Sequence, residues 1–284
     1  MRALLFLFVF IISINGFGQS DRAFFGKLQK KYKPSKILIY KEVDGRKLEL
    51  HVFNPEGFKS TDKRPVFVAI HGGGWVGGTP QRFYPYANWF VDKGFVGISV
   101  QYRLIKKGKS NVFDCVKDGR AALRYIRANA TKLGIDPQKI VVSGGSAGGH
   151  VASGTALFNF DHKDEDLKVS CEPNAMVLLF PVIDTSKQGY GNGKIGKEWK
   201  SLSPAHNVTD KTPPTLIFHG AKDNVTPLAG AKIYKKEMDA KGKKCELVID
   251  PNGKHGHLNS NKKLFDDART KTLEFLKKLK IYTE

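Results

Sequence analysis

The feature that most constrains this chain is a rhythm. From residue 66 onward, apolar runs of about five residues alternate with longer stretches of helical patterning. The runs fall at 66–70, 95–100, 139–143, 175–180, 215–219 and 245–250. Most are apolar throughout rather than at every second position, the pattern of parallel strands covered on both faces. Helical patterning occupies residues near 83–93, 112–130, 147–158, 227–241 and 262–280. Strand–helix alternation of this kind builds a doubly wound sheet. Two earlier runs, 36–43 and 46–53, flank Asp44-Gly45, a dipeptide that favours a tight hairpin. The sequence thus predicts an α/β protein with eight strands: an antiparallel pair, then strands joined by helical crossovers.

Such sheets bind ligands beyond the C-terminal ends of their strands, so the residues that follow each run are the candidates for chemistry. After 139–143 comes Gly144-Gly145-Ser146-Ala147-Gly148-Gly149-His150, which matches G-x-S-x-G. A nucleophile on a sharp strand-to-helix turn needs small residues two positions to either side, because a side chain there would strike the backbone. A preceding apolar run and a following helical pattern supply the setting that the motif requires. Ser146 is therefore the candidate nucleophile. After 66–70 comes His71-Gly72-Gly73-Gly74-Trp75. Consecutive glycines leave peptide N–H groups bare, as an oxyanion hole demands. The candidate donors are the amides of Gly73, Gly74 and Ala147. His71 is read as holding the glycine loop by hydrogen bonds.

A hydrolytic triad on this architecture runs nucleophile, acid, histidine in chain order. Asp223 follows the run at 215–219 and is the candidate acid, with Asp184 as its competitor; Asp184 also reads as a loop-capping residue. His255 and His257 follow the last run, and the spacing leaves both open as the base. Their His-x-His pattern suggests a metal, but no third ligand has matching spacing. No metal or organic cofactor is expected. The long gap from 180 to 215 holds Gly189, Gly191, Gly193, Gly196 and Trp199 and reads as a loop or short lid-like insertion.

The chain carries 47 Lys plus Arg against 27 Asp plus Glu, a net charge of +20. The basic residues are scattered, with no zinc-finger spacing, no RNA-binding signature and no basic tail. They read as a solvated face, and no nucleic-acid partner is expected. Long-range attraction fits an anionic polymer such as an acidic polysaccharide. Arg2, an apolar stretch from Ala3 to Ile14, and Gly16 and Gly18 before Gln19 form the pattern of a secretory signal peptide. Residues 1–18 are read as that signal and 19–284 as one catalytic domain, secreted or periplasmic. A retained anchor is the alternative, but the apolar stretch is shorter than the roughly 20 residues of a membrane span, so no stable insertion is expected once the signal is removed. Cys115, Cys171 and Cys245 are odd in number and far apart; one disulfide or three free thiols both fit. Oligomeric state is not legible.

The ordered set of motifs resembles the hormone-sensitive-lipase-like and bacterial feruloyl and acetylxylan esterase-like branch of the α/β-hydrolases. It is carried by His71 to Trp75, Gly144 to His150, Asp223 with Pro227, and His255 to Asn259. Tyr102-Arg103, Asp118 through Arg127, Leu133-Gly134-Ile135-Asp136-Pro137 and Ser203-Pro204 look similar too, so the resemblance spans roughly residues 36–280. It implies an α/β-hydrolase fold and a serine carboxylic-ester hydrolase, acting on a small-molecule or polysaccharide-linked ester, with acetyl or feruloyl groups on carbohydrate as the expected targets. The family has a histidine followed by Gly and an aromatic, then often Asn; this implies His255 as base, with His257 in the aromatic place. Two rivals use the same scaffold. An arylformamidase-like amidase would need the same triad, but that branch carries a bulky aromatic where Gly74 stands. A non-catalytic binding protein would have no reason to keep all three groups.

Overall fold

The hairpin expected at Asp44-Gly45 is the start of the sheet. In the computed structural model, which describes residues 20–283, β1 (Lys36–Val43) and β2 (Arg46–Phe53) pair antiparallel around this turn. Both turn residues have positive φ, 51° and 68°, as the favoured two-residue hairpin requires. The expected signal peptide, residues 1–18, lies outside the described residues. No described helix is long and apolar enough to cross a membrane.

Six more strands complete one sheet: β3 (Arg64–Ile70), β4 (Val96–Val100), β5 (Ile135–Gly145), β6 (Ala175–Leu179), β7 (Thr215–Gly220) and β8 (Cys245–Asp250). Their order is β1-β2-β4-β3-β5-β6-β7-β8, and every pairing from β4 to β8 is parallel. The helices are α1 (Ser20–Lys31), α2 (Tyr84–Ala87), α3 (Val112–Ala128), α4 (Ala147–Leu157), α5 (Asn192–Ile195), α6 (Leu228–Ala240), α7 (His257–Ser260) and α8 (Lys262–Lys278). This is the α/β-hydrolase architecture.

Strand β3 shows why its run at 66–70 is apolar throughout. Val66, Val68 and Ile70 join the core under α3, α4 and α6, whereas Phe67 and Ala69 join the core under α1, α2 and α8. Successive side chains point to opposite faces, and from Val66 to Ile70 both faces are covered, which is why that run is apolar while Arg64, at the partly exposed start, pairs with Asp62. The helix between β4 and β5 is fixed at its start by Asn111, whose side chain accepts from the Asp114 amide while Asp114 accepts from the Asn111 amide, a reciprocal cap.

Three elements differ from expectation. The stretch 83–93 is not one helix but a 3₁₀ turn (Pro80–Phe83), α2 and a second 3₁₀ turn (Val91–Lys93). Pro80 and Pro85 each sit in a first turn, the position proline tolerates, and so restart the chain. Helix α1 was not signalled by the sequence; it packs Phe25 against Tyr86 and Phe265 at 5.4 and 5.8 Å between ring centroids. The segment around His255 is not wholly loop, since α7 begins at His257. The insertion after β6 forms α5 and two 3₁₀ turns (Gly196–Leu202 and Pro204–His206). The three cysteines are separate buried thiols.

Candidate active site

Ser146 stands between the end of β5 and the start of α4, at φ 55° and ψ −125°. Few side chains adopt such a backbone; it is held because the Ser146 amide donates to the Leu179 carbonyl and its own carbonyl accepts from the amides of His150 and Val182. The flanking glycines are sterically required. A Cβ on Gly148 would stand 2.2 Å from the Ile70 carbonyl oxygen, and one on Gly144 would stand 2.2 Å from that of Gly148. A Cβ on Gly72 would stand 2.7 Å from the Gly145 oxygen, so the two glycine turns are packed backbone on backbone.

The Ser146 hydroxyl lies 3.0 Å from His255 Nε2, and His255 Nδ1 lies 2.8 Å from Asp223 Oδ2. The network fixes the tautomer: Nδ1–H donates to the carboxylate, leaving Nε2 to accept from the serine. Asp223 sits in the turn after β7. Its Oδ1 accepts from the amides of Val225 and Thr226, each at 2.9 Å, and Oδ2 also accepts from the Thr226 hydroxyl. Burial alone would raise the Asp223 carboxyl, but the hydrogen bonds from His255, Thr226 and Val225 outweigh it and hold it below the ordinary carboxylate range.

The structure thus brings together Ser146, Asp223 and His255. It does not bring His257 to the serine. That side chain is buried at the start of α7, with its ring 6.1 Å from Phe180. Nor does Asp184 approach; its carboxylate accepts from the amide and hydroxyl of Ser186 and closes a local turn.

The amides of Gly73, Gly74 and Ala147 have no protein acceptor among the described residues. Gly73 and Gly74 have φ of 129° and 60°, values that glycine adopts without a Cβ penalty, and both line the cleft. Behind this loop His71 Nδ1 donates to the Gly72 carbonyl at 2.9 Å. The His71 ring stacks on Tyr102 at 4.5 Å, and the Tyr102 hydroxyl donates to the His71 carbonyl. Burial pushes His71 down to about 4, so the ring is neutral and serves as a fixed prop. His150 is pushed to about 4 by burial in the same way, and its Nε2–H donates to the Leu202 carbonyl. That bond ties α4 to the insertion after β6.

These groups open into a cleft of about 650 Å³. Its walls include Phe25 and Gln29 of α1, Arg82 and Phe83 before α2, Phe180 after β6, and Tyr190 of the insertion. None of these was legible beforehand, and neither was Thr226. Thr226 alone carried a weak signal: a hydroxyl residue three positions after a candidate acid in a tight turn. Among the described residues, no group of three or more His, Cys, Asp or Glu side chains is arranged to hold a metal.

The BD-FAE family model matches residues 50–191, a stretch that holds both glycine turns and Ser146. The chain belongs to this α/β-hydrolase family. Among solved structures, esterase 2 of Thermogutta terrifontis, phosphorylated by paraoxon, is 34% identical, with a TM-score of 0.82 over 88% of this chain and 95% of that one. Among curated relatives, endo-1,4-beta-xylanase B of Butyrivibrio fibrisolvens is 28% identical over 72% of this chain and 34% of its own length. The acetylxylan esterase of Xylanibacter ruminicola is 25% identical over 75% of this chain and 44% of its own length. The chain therefore spans between about a third and a half of the length of these curated relatives.

Proposed function

We propose that this chain is a serine carboxylic-ester hydrolase. The observation that carries this reading is the unbroken hydrogen-bonded chain from Ser146 through His255 to Asp223, ending beside amides that donate to nothing else. Ser146 Oγ attacks the ester carbonyl while His255 Nε2 takes its proton. The oxygen gains negative charge and rests on the amides of Gly73, Gly74 and Ala147. Asp223 stays ionised and stabilises the imidazolium. His255 then protonates the departing alcohol, leaving an acyl-serine, and water attacks that ester by the same route to release the acid.

The substrates we infer are acetyl or feruloyl esters on carbohydrate. The acetylxylan esterase relative supports this, as does an open cleft walled by aromatic rings. Secretion, through removal of residues 1–18, fits a polysaccharide target too large to enter a cell.

The test combines labelling with turnover. A fluorophosphonate probe should label the protein at Ser146, as peptide mass spectrometry would show, and Ser146→Ala should abolish both labelling and hydrolysis of an aryl acetate. Labelling elsewhere, or full turnover by Ser146→Ala, would reject the mechanism. Acid released from acetylated xylan and feruloylated oligosaccharide tests the substrate class; activity confined to long-chain lipid esters would reject it.

A further inference from the structure

Arginine heads in this protein are mostly engaged. Arg64, Arg103, Arg120, Arg124 and Arg269 each ion-pair with a carboxylate, and Arg127 donates to backbone carbonyls. Arg82 differs. Its carbonyl accepts from Gln29 of α1, which fixes the backbone, but among the described residues its guanidinium has no carboxylate partner. It lines the same cleft as Ser146 and His255, and that lining contains no Asp or Glu.

A second cation stands at the glycine loop. Lys194 Nζ donates to the Gly74 carbonyl at 3.1 Å and to the Tyr190 hydroxyl at 3.0 Å. It also lies 4.9 Å from the Tyr190 ring centroid and 5.7 Å from that of Trp75. Two hydrogen bonds and two ring faces hold this exposed ammonium, and among the described residues no carboxylate pairs with it. Arg82 is thus the cationic head in the cleft lining, and Lys194 stands beside that lining on two of its residues, Gly74 and Tyr190.

We propose that Arg82, assisted by the Lys194 field, makes the cleft selective for esters that carry a carboxylate. A guanidinium offers paired N–H donors in a planar fork that matches a carboxylate, and the hydrogen bonds are charge-assisted. The net charge of +20 draws anionic substrates toward the protein from a distance. Arg82 is a specificity residue for the hydrolysis proposed above, and the inference rests on that reading. The carboxylate belongs either to the acyl half or to the alcohol half of the ester; both present the same chemistry to the guanidinium.

Two matched pairs of esters test this in the full-length protein. On the acyl side, an aryl hemisuccinate is compared with the corresponding aryl butyrate. On the alcohol side, an acetyl ester of a glucuronoside is compared with that of a glucoside. The wild type should favour the anionic member of at least one pair in kcat/KM, and that pair tells which half carries the charge. Arg82→Gln should lower the anionic-to-neutral ratio about tenfold, mostly through KM, and Arg82→Lys should restore part of it. The preference should also shrink between 20 mM and 300 mM salt, because an exposed pair is screened. No preference in either pair, or equal losses on both members, overturns the inference while leaving the hydrolase standing. No hydrolysis of any of the four esters overturns the hydrolase reading and this inference with it.

Discussion

The rim that carries Ser146, Asp223 and His255 and the walls that shape the cleft around them are built on different principles. At the rim, each side chain sits on a turn directly after a strand, and each turn is dictated by local sterics. Gly144 and Gly148 have no room for a Cβ, and Asp223 is locked by the two amides that follow it. The walls are assembled from pieces remote in sequence. Phe25 comes from α1, Phe83 from a 3₁₀ turn, Phe180 from the end of β6 and Tyr190 from the insertion. They are held by tertiary packing alone, such as Phe25 on Tyr86 and Phe265. Rim changes should therefore cost chemistry at nearly constant stability, and wall changes should cost stability and KM before they cost kcat.

The largest effect is expected from the histidines, which break the comparison most directly if they behave alike. His255→Ala removes the proton acceptor and should lower kcat by about 10⁵- to 10⁶-fold, as loss of a base in a cooperative triad does. His257→Gln, two residues away but turned from the serine, should stay within about tenfold of wild type. Steady-state hydrolysis of an aryl acetate measures both; similar collapse in both variants would mean that the distinction between His255 and His257 is wrong.

Asp223→Asn should come next, lowering kcat by about 10³- to 10⁴-fold with little change in KM, because an amide there favours the wrong imidazole tautomer. The same variant should fold. The amides of Val225 and Thr226 still have an oxygen to donate to, so circular dichroism melts should move little. A variant that melts early would place Asp223 among the structural turns instead.

This contrast also explains what was legible in the sequence. Strands β3, β4, β6 and β7 are buried on both faces over most of their length, so burial wrote them as mainly apolar runs, with Ser99, Thr215 and His219 as the buried polar exceptions. The hairpin was written by one dipeptide with positive φ. The turns that bring Ser146, Asp223 and His255 together announced themselves through glycines and strand ends. By contrast, α1 buries few side chains and ends in Lys30 and Lys31, so its pattern resembles a solvated linker. The segment 80–93 has helical periodicity, but Pro80 and Pro85 divide it into separate turns. Arg82 and Tyr190 have no local signature at all, since what makes them wall residues is the path of chain far from them.

Phe25→Ala should sharpen the wall side of the comparison. The ring is buried within an aromatic cluster that also holds Phe24, Tyr86 and Phe265. Truncating a buried phenylalanine costs about 3 kcal/mol, less where the site collapses. Urea denaturation should report that loss, and KM should rise several-fold through displacement of Gln29, the α1 residue that donates to the Arg82 carbonyl. A kcat loss as large as that of Asp223→Asn would erase the distinction between rim and wall.

The smallest effect concerns pH, and it draws on the buried imidazoles, His71 and His150 with His219 and His257, which burial also lowers. Burial pushes both His71 and His150 from the ordinary 6.5 down to about 4 in the folded protein. Between those values the unfolded chain binds protons that the folded chain refuses, so stability falls as pH falls through 6.5 and the loss levels off near 4. From pH 7 to pH 5.5 each group should cost about 1 kcal/mol, a figure that follows from the size of the shift. The walls lack a comparable pair: Phe25, Phe83 and Phe180 do not titrate. Denaturant midpoints at pH 7 and 5.5 should therefore show a drop that His150→Phe reduces, even though that variant is itself weaker through loss of the bond to the Leu202 carbonyl. If the midpoint stays level or rises on acidification, His71 is not the neutral prop of the glycine loop, nor His150 the neutral tie between α4 and the insertion.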